Sequence, residues 1–153
     1  GLPRKVVKAG DPYQWQVEQT AAAVIKKMGG YDDWTVCYQS RVGPLEWIGP
    51  STEEELVRAA EDGVGVIIVP IAFVSEHSET LVELDIEYQE LANELGVVSY
   101  DRVPATGTHP MFVSGLGDLV RQACEWDGKG PYGGAAGTRI CPIGFSKCPS
   151  TSV

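Results

Sequence analysis

The sequence predicts an α/β fold, in which a parallel sheet is doubly wound with helices in the Rossmann-like manner. Segments with helical spacing alternate with short β-prone segments, and such alternation is typical of parallel strands joined by crossover helices. The run from Val64 to Val69 is almost wholly apolar and β-branched, which is typical of a strand covered on both faces. Glycine follows the first three predicted helices, where a left-handed residue commonly ends a helix.

The first predicted helix begins after Asp11-Pro12, which pairs an N-cap acceptor with the residue favoured at the first helical position. Apolar residues then recur at helical spacing as far as Met28, and Gly29-Gly30 ends the run. The next segment, 34–38, is short and β-prone, and it is predicted to be the first strand.

The second predicted helix opens at residues 51–55, where Thr52 and Glu55 stand at capping-box spacing, and it ends before Gly63. The order then continues with a strand at 64–69, a helix at 79–95, a strand at 97–100 and a helix after Pro110. The last helix carries apolar residues on one face: Phe112, Leu116, Leu119, Val120 and Ala123.

Two regions are predicted along the chain. Residues 1–126 form the α/β domain, and residues 127–153 form an irregular tail rich in glycine and proline. A doubly wound unit normally starts on a strand, whereas this chain opens on a short loop. Either the domain begins in this way, or a first strand is missing upstream.

Composition excludes several classes of function. A net charge of −9 argues against a nucleic-acid partner, because no basic stripe is available to neutralise phosphates. No apolar run reaches the roughly 18 residues that a membrane-spanning helix needs. We expect a cytoplasmic or organelle-matrix protein, and a peripheral contact with a membrane is left open.

The four cysteines do not indicate a disulfide scaffold, because their spacing is wide and the chain has ample apolar residues. Cys37 lies in a strand-like pattern and Cys124 in a helical one. Both are expected to be small buried apolar residues.

Two long loops are predicted to leave the carboxyl edge of the sheet, at 39–50 and 70–79, where α/β proteins bind ligands. Each loop carries a large aromatic residue, Trp47 in the first and Phe73 in the second. The pair suits a flat apolar ligand. The alternative is that both rings simply pack beneath their own loops.

Glu79, Glu83 and Glu87 follow the second loop at i, i+4 and i+8, which stacks them along one face of an α-helix. They lie beside the apolar stripe of the same helix, and His77 precedes them by two residues. Carboxylates with one imidazole suit a labile Fe²⁺, Mn²⁺ or Mg²⁺. The alternative is a solvated acidic face. The apolar stripe consists of Leu81, Leu84, Tyr88, Leu91 and Leu95.

These segments resemble the ferrochelatase family. Residues 39–50 read QSRVGPLEWIGP and resemble the stretch that passes beside the porphyrin. Residues 69–88 read VPIAFVSEHSETLVELDIEY and resemble the family signature almost throughout. The openings GLP at 1–3 and GDPY at 10–13 also match, so the resemblance covers about residues 1–125.

Ferrochelatases insert ferrous iron into protoporphyrin IX, which they distort in a cleft between two similar α/β halves. The resemblance therefore implies one half of a class II chelatase, with Fe²⁺ and protoporphyrin IX as substrates and no tightly bound cofactor. The resemblance implies that Glu79 is the essential carboxylate that binds the metal or abstracts a proton, and that His77 belongs to the same motif and also binds the metal. It implies that Glu83 and Glu87 form a path of carboxylates that also bind the metal. The residues implied to contact the porphyrin are Ser40, near a propionate, and Trp47 and Phe73, in the walls of the pocket.

The resemblance also implies parts that this chain does not contain. The family's other essential residue, a histidine, directly precedes the segment that begins here at Gly1, and the amino-terminal half forms the other wall of the cleft. We therefore expect a fragment that is inactive alone and needs that half as its partner. Two alternatives are a half-length homodimeric tetrapyrrole chelatase and a non-catalytic tetrapyrrole- or metal-binding module.

Some ferrochelatases hold a two-iron two-sulfur cluster with three cysteines of the tail. Here the tail offers only Cys141 and Cys148, with Gly144 where a middle cysteine would stand. A four-thiolate site would need ligands that this chain lacks, so no iron–sulfur cluster is expected.

Overall fold

A computed structural model describes residues 1–39, 43–126 and 140–148. One wide helix with i→i+5 hydrogen bonds, a π-helix, continues directly into an α-helix. The elements in chain order are α1 (Arg4–Lys8), α2 (Tyr13–Lys27), α3 (Thr52–Asp62), β1 (Val66–Ile68), the π-helix (Glu79–Glu87), α4 (Tyr88–Leu95), β2 (Tyr100–Arg102) and α5 (Pro110–Glu125).

β1 and β2 pair in parallel, with Val66 opposite Tyr100 and Ile68 opposite Arg102. The helix between them is the crossover, so the predicted α/β class and the parallel pairing are confirmed for this unit. In the described part of the chain the sheet has these two strands. The strand predicted at 34–38 is reduced to one parallel bridge between Tyr38 and Ser51.

The strand predicted at 97–100 begins three residues later than expected. Val97 closes the end of α4 from just beyond it, because its N–H donates to the carbonyl oxygen of Ala92 at 2.9 Å. Gly96 ends the helix in the left-handed conformation, with φ of 80°. The chain is therefore free to join β1 only from Ser99 onward, where the Val66 N–H donates to the Ser99 carbonyl at 2.8 Å.

β1 is not covered on both faces by the described residues, contrary to the expectation from its apolar sequence. Val66 and Ile68 pack against the core, whereas Ile67 between them is 69% exposed. This is the period-two alternation of a sheet with one packed face.

The core lies between α3, β1 and the helix that spans the π-helix and α4. Leu56 of α3 meets a stripe of buried residues on that helix: Leu84, Tyr88 and Ala92. Thr80, one step earlier in the same register, is fully buried. Leu81, predicted to lie in this stripe, is instead 48% exposed.

The capping box of α3 lies one residue before its predicted position. The Ser51 hydroxyl accepts the N–H of Glu54 at 3.2 Å, and the Glu54 carboxylate accepts the N–H of Ser51 at 2.6 Å. Thr52 is buried as the first helical residue. Ser51 is the cap because its bridge with Tyr38 holds its backbone extended, as an N-cap requires.

Two helices at the periphery differ from expectation. α1 was not predicted, and it follows Pro3 with no buried residue of its own. α5 has the predicted position, but the structure buries none of its residues, and Met111 and Val120 are 79% and 62% exposed. Cys124 is exposed on α5, so the expectation that it is buried was wrong. Cys37 is partly buried.

Residues 140–148, within the predicted tail, pack against α2. The Phe145 and Trp15 rings lie 6.1 Å apart, and the Lys147 N–H donates to the Gly10 carbonyl at 3.1 Å. A Cβ added to Gly10 would lie 2.4 Å from the Ser146 hydroxyl oxygen, so only glycine allows this approach. Cys141 and Cys148 are both buried here. No helix of the described residues is long and apolar enough to cross a bilayer.

Leu84→Ala should lower the free energy of unfolding by about 2–5 kcal/mol, because it leaves a cavity at the centre of the core. Leu81→Ala, three residues earlier on the same helix, should cost about 0.5 kcal/mol or less. Urea denaturation followed by circular dichroism measures both. Equal losses in the two variants would contradict the assignment of Leu84 to the core.

Candidate active site at the carboxyl end of β1

The loop after β1, residues 69–78, is braced by the loop after β2. The Gly107 N–H donates to the Val74 carbonyl at 2.7 Å, and the Ala105 N–H donates to the Glu76 carboxylate at 2.9 Å. Parallel pairing of β1 and β2 brings both loops to the same sheet edge. The loop that carries Phe73 and His77 is therefore held by backbone contacts.

Phe73 and His77 contact each other at this edge. Their ring centroids lie 4.4 Å apart with the rings nearly perpendicular, at 84°. In this edge-to-face arrangement the apolar ring fixes one side of the imidazole. Both side chains are partly buried.

His77 forms three hydrogen bonds at the start of the π-helix. Its Nδ1 accepts the N–H of Glu79 at 3.1 Å, and its backbone N–H and carbonyl both bond to the hydroxyl of the buried Thr80 at 2.9 Å. Because Nδ1 is the acceptor, the neutral imidazole carries its proton on Nε2. In this geometry His77 offers an N–H donor to its remaining surroundings.

The three glutamates do not stack as an α-helix would stack them. The Tyr88 N–H donates to the carbonyl of Glu83, five residues back. In such a helix each residue turns less than in an α-helix, so residues four apart fall short of a full turn. Glu79 and Glu87 are exposed, whereas Glu83 is partly buried.

Glu83 faces a tyrosine rather than open solvent. The Tyr88 hydroxyl lies 3.0 Å from a Glu83 carboxylate oxygen and 3.1 Å from one of Glu53 on α3. Burial first, and then the nearby carboxylates, raise the pKa of Tyr88 far above its ordinary value. The hydroxyl therefore keeps its proton and can donate it to either carboxylate.

The loop at 39–50 contacts this site through Gln39, and Gly1 contacts Gln39 in turn. The Gln39 side chain donates to the Glu79 carbonyl at 3.0 Å, and the Gly1 amino group donates to the Gln39 carbonyl at 3.2 Å. The Trp47 ring also lies near Gly1, and Trp47 forms an antiparallel bridge with Pro3. Its indole Nε1 is buried without a hydrogen-bond partner among the described residues. Ser40 lies outside the described residues.

The structure thus joins Phe73, His77 and Glu79 in one continuous set of contacts. Glu83 turns toward Tyr88. Across residues 1–39, 43–126 and 140–148, no three His, Cys, Asp or Glu side chains form a group that could hold a metal ion. The metal-binding roles of His77, Glu79, Glu83 and Glu87 therefore remain predictions.

Sequence reasoning missed Arg102, the last residue of β2. Its side chain is 9% exposed, and its guanidinium forms a two-pronged ion pair with Asp85 of the π-helix, in which Nη2 donates at 2.7 Å. Its Nη1 donates to both carboxylate oxygens of Glu76, at 3.1 and 3.2 Å. One feature of the sequence could have indicated a buried cation here: Asp85 lies between two apolar residues, in a helix with one packed face.

Glu76 is held in its charged form by its neighbours. The Thr80 side chain, the Ala105 N–H and the Arg102 guanidinium lower the pKa of Glu76 to about 2. Thr80 also belongs to the turn that carries His77, because its hydroxyl accepts the His77 N–H.

The sequence of this chain is similar to those of known proteins. The sequence matches the family described as ferrochelatase over residues 1–124. It is 58% identical over 151 residues to a ferrochelatase of Caulobacter vibrioides strain NA1000 / CB15N, covering 97% of this chain and 42% of that protein. It is 50% identical over 153 residues to one of Hyphomonas neptunium, covering 100% and 42%. The chain thus spans about 42% of the length of these curated relatives.

The ion pairs of Glu76 should make stability sensitive to acid. Its pKa is lowered from an ordinary 4.5 to about 2, so its stabilisation is fully present above about pH 4.5 and is lost as the pH falls through about 2. Glu76→Gln should be less stable at neutral pH and lose less stability across that window. Urea midpoints at several pH values measure the slope. Glu61→Gln, at an exposed position of α3, should keep the wild-type slope. An unchanged slope in Glu76→Gln would contradict the assignment.

Proposed function

Because the chain belongs to the ferrochelatase family, we propose that it supplies one wall of an enzyme that inserts Fe²⁺ into protoporphyrin IX to form haem. The observation that carries the proposal is the contact set Phe73–His77–Glu79 at the carboxyl end of β1. It joins an apolar ring to an imidazole that bonds to the backbone N–H of Glu79, and the carboxylate of Glu79 is exposed. These are the groups needed to hold a flat macrocycle and to receive a proton or a cation beside it.

Metal insertion requires two pyrrole protons to leave as Fe²⁺ enters. Glu79 is the group best placed to take a proton or hold the cation, because its carboxylate is exposed at the first turn of the helix. Glu83 and Glu87 continue the acidic character along the helix. We assign them to the passage of the cation inward or of protons outward.

His77 fits a donor role better than a ligand role. A metal bound at Nε2 would require the proton to sit on Nδ1, and Nδ1 already accepts the Glu79 N–H. The proposal therefore gives His77 the task of orienting Glu79 and donating a hydrogen bond from Nε2. The proposal therefore removes His77 from the metal ligands that the sequence predicts and keeps it as a residue of the catalytic motif.

Gly1 lies close to the carboxylates of this site. Burial lowers the pKa of its amino group, and the carboxylates of Glu79 and Glu83 oppose that lowering, so both lie within electrostatic reach. In a longer protein, a residue bonded to this nitrogen would lie next to the same carboxylates. The resemblance implies a histidine there, contributed together with the amino-terminal half as partner.

No tightly bound cofactor is part of the proposal, and Fe²⁺ enters as substrate. Cys141 and Cys148 are buried in the segment that packs on α2, where Gln16 donates to the Cys141 sulfur at 3.8 Å. We assign both thiols to packing.

Glu79→Gln in the product of the complete reading frame should lower kcat by about 10²-fold or more, the scale for a positioned proton acceptor. Porphyrin affinity should change little, because the amide keeps the size of the side chain. Glu87→Gln should cost much less, and Glu90→Gln, at an exposed position on α4, should leave turnover unchanged. A zinc-porphyrin fluorescence assay measures all three. Near-normal turnover of Glu79→Gln would overturn the assignment.

The 153-residue chain alone should not insert Fe²⁺ or Zn²⁺, because the proposal gives it one wall of the cleft. Adding the remaining segment of the reading frame as a separate chain should restore part of the activity. Turnover is measured by zinc-porphyrin fluorescence, and oligomeric state by sedimentation. Robust turnover by the chain alone, as a dimer, would favour the half-length homodimer instead. Porphyrin or metal binding without turnover in either form would favour a binding module.

A further inference from the structure

We propose that Arg102 is a positioning residue for the insertion reaction, because one guanidinium holds the His77 loop and the carboxylate-bearing π-helix in fixed relation. The inference rests on the proposed function for its catalytic meaning. Its structural content, that Arg102 sets the orientation of His77, stands on the contacts alone.

The contacts of Arg102 use all three nitrogens of its guanidinium. Nε and Nη2 bind the two carboxylate oxygens of Asp85, and Nη1 binds Glu76 and the carbonyl of Val103 at 3.3 Å. The Arg102 side chain is only 9% exposed, whereas the Glu76 and Asp85 side chains are about a third exposed. Planar, two-pronged pairing of this kind fixes geometry as well as charge.

Each partner acid is attached to a part of the site. Glu76 directly precedes His77, and its carboxylate also accepts the Ala105 N–H. Asp85 lies midway between Glu83 and Glu87 on the π-helix. Arg102 itself is the end of β2 and is in register with Ile68 of β1. The loop, the helix and the sheet therefore meet at one cation.

The same pairing divides the acids of this region into two sets. Residues 76–87 contain Glu76, Glu79, Glu83, Asp85 and Glu87. Arg102 pairs with Glu76 and Asp85, so its one positive charge offsets part of their two negative charges, whereas Glu79, Glu83 and Glu87 lie outside this pairing. Without Arg102, five like charges would crowd one loop and two turns of helix.

The ion pair between Arg102 and Asp85 fixes the position of a π-helix. Its i→i+5 bonding is rare and occurs mostly in short pieces at functional sites. A displacement of about 1 Å in a catalytic group can cost about 10²-fold in rate. Lysine at position 102 would keep one positive charge, but a single ammonium cannot reproduce the planar fork that spans Asp85 and Glu76.

The test is Arg102→Lys in the product of the complete reading frame. The proposal expects kcat to fall about 10- to 100-fold, with the KM for porphyrin within about twofold of the wild type. The matched control is Arg58→Lys on α3, where the guanidinium also pairs with acids: Glu55 at 2.8 Å, Asp62 at 3.1 Å and Asp33 at 3.9 Å. That control should keep wild-type kcat.

A second measurement reads the orientation of His77 directly. ¹⁵N NMR of labelled histidines reports which ring nitrogen carries the proton, and His77→Gln identifies the signal. His109 is an internal reference, because its Nδ1 also accepts the N–H two residues on, that of Met111 at 3.3 Å. In Arg102→Lys the His77 signals should lose the pure Nε2–H pattern, while those of His109 stay unchanged.

The outcomes separate the two hypotheses. A fall in kcat with unchanged KM and an altered His77 pattern supports positioning by Arg102. Wild-type His77 signals in Arg102→Lys overturn it, whatever the activity, and so does turnover equal to that of Arg58→Lys. If the wild-type protein inserts no metal, the proposed function fails, while the NMR comparison still decides whether Arg102 orients His77.

Discussion

Burial of one side of the helix 79–95 is the constraint on which the rest of this structure depends. Thr80, Leu84, Tyr88 and Ala92 are each at most 6% exposed, and the last three meet Leu56 of α3. Each of the three site glutamates directly precedes a member of this stripe. Because the stripe is buried, the carboxylates that directly precede its members lie along its margin, beside the loop that follows β1. The same helix therefore contributes residues to the core and, at the positions directly before them, residues to the site.

Much of the fold could be predicted because local patterns agreed with the final packing. Alternating segments, glycine at helix ends and one β-branched apolar run were enough for the order of the elements and the parallel pairing. The errors occurred where a residue had two suitable partners. Val97 reads as a strand residue, yet its N–H closes the end of α4. Ser51 and Thr52 each precede a glutamate by three residues, and only the bridge to Tyr38 selects Ser51 as the cap.

The site could be predicted in composition but not in geometry. Spacing located the carboxylate row, and the loop lengths located Phe73 and Trp47. Periodicity could not show that the row begins on a π-helix, because the apolar residues of this segment also fit the spacing of an α-helix. It could not reveal that His77 closes the helix with Nδ1 either. Arg102 is beyond any local pattern, since its partners are 17 and 26 residues away and meet only through the sheet.

The contact between Gly10 and residues 146–147 joins the first part of the sequence to nearly the last. During synthesis the ribosome delivers Trp15 long before Phe145, so one side of α2 stays bare while more than a hundred further residues emerge. Contacts of such long sequence separation form late, and exposed apolar surface in the interval favours association with other chains. The order of translation thus makes the packing of α2 depend on a segment that is synthesised much later, and this dependence concerns the rate of maturation rather than the final stability.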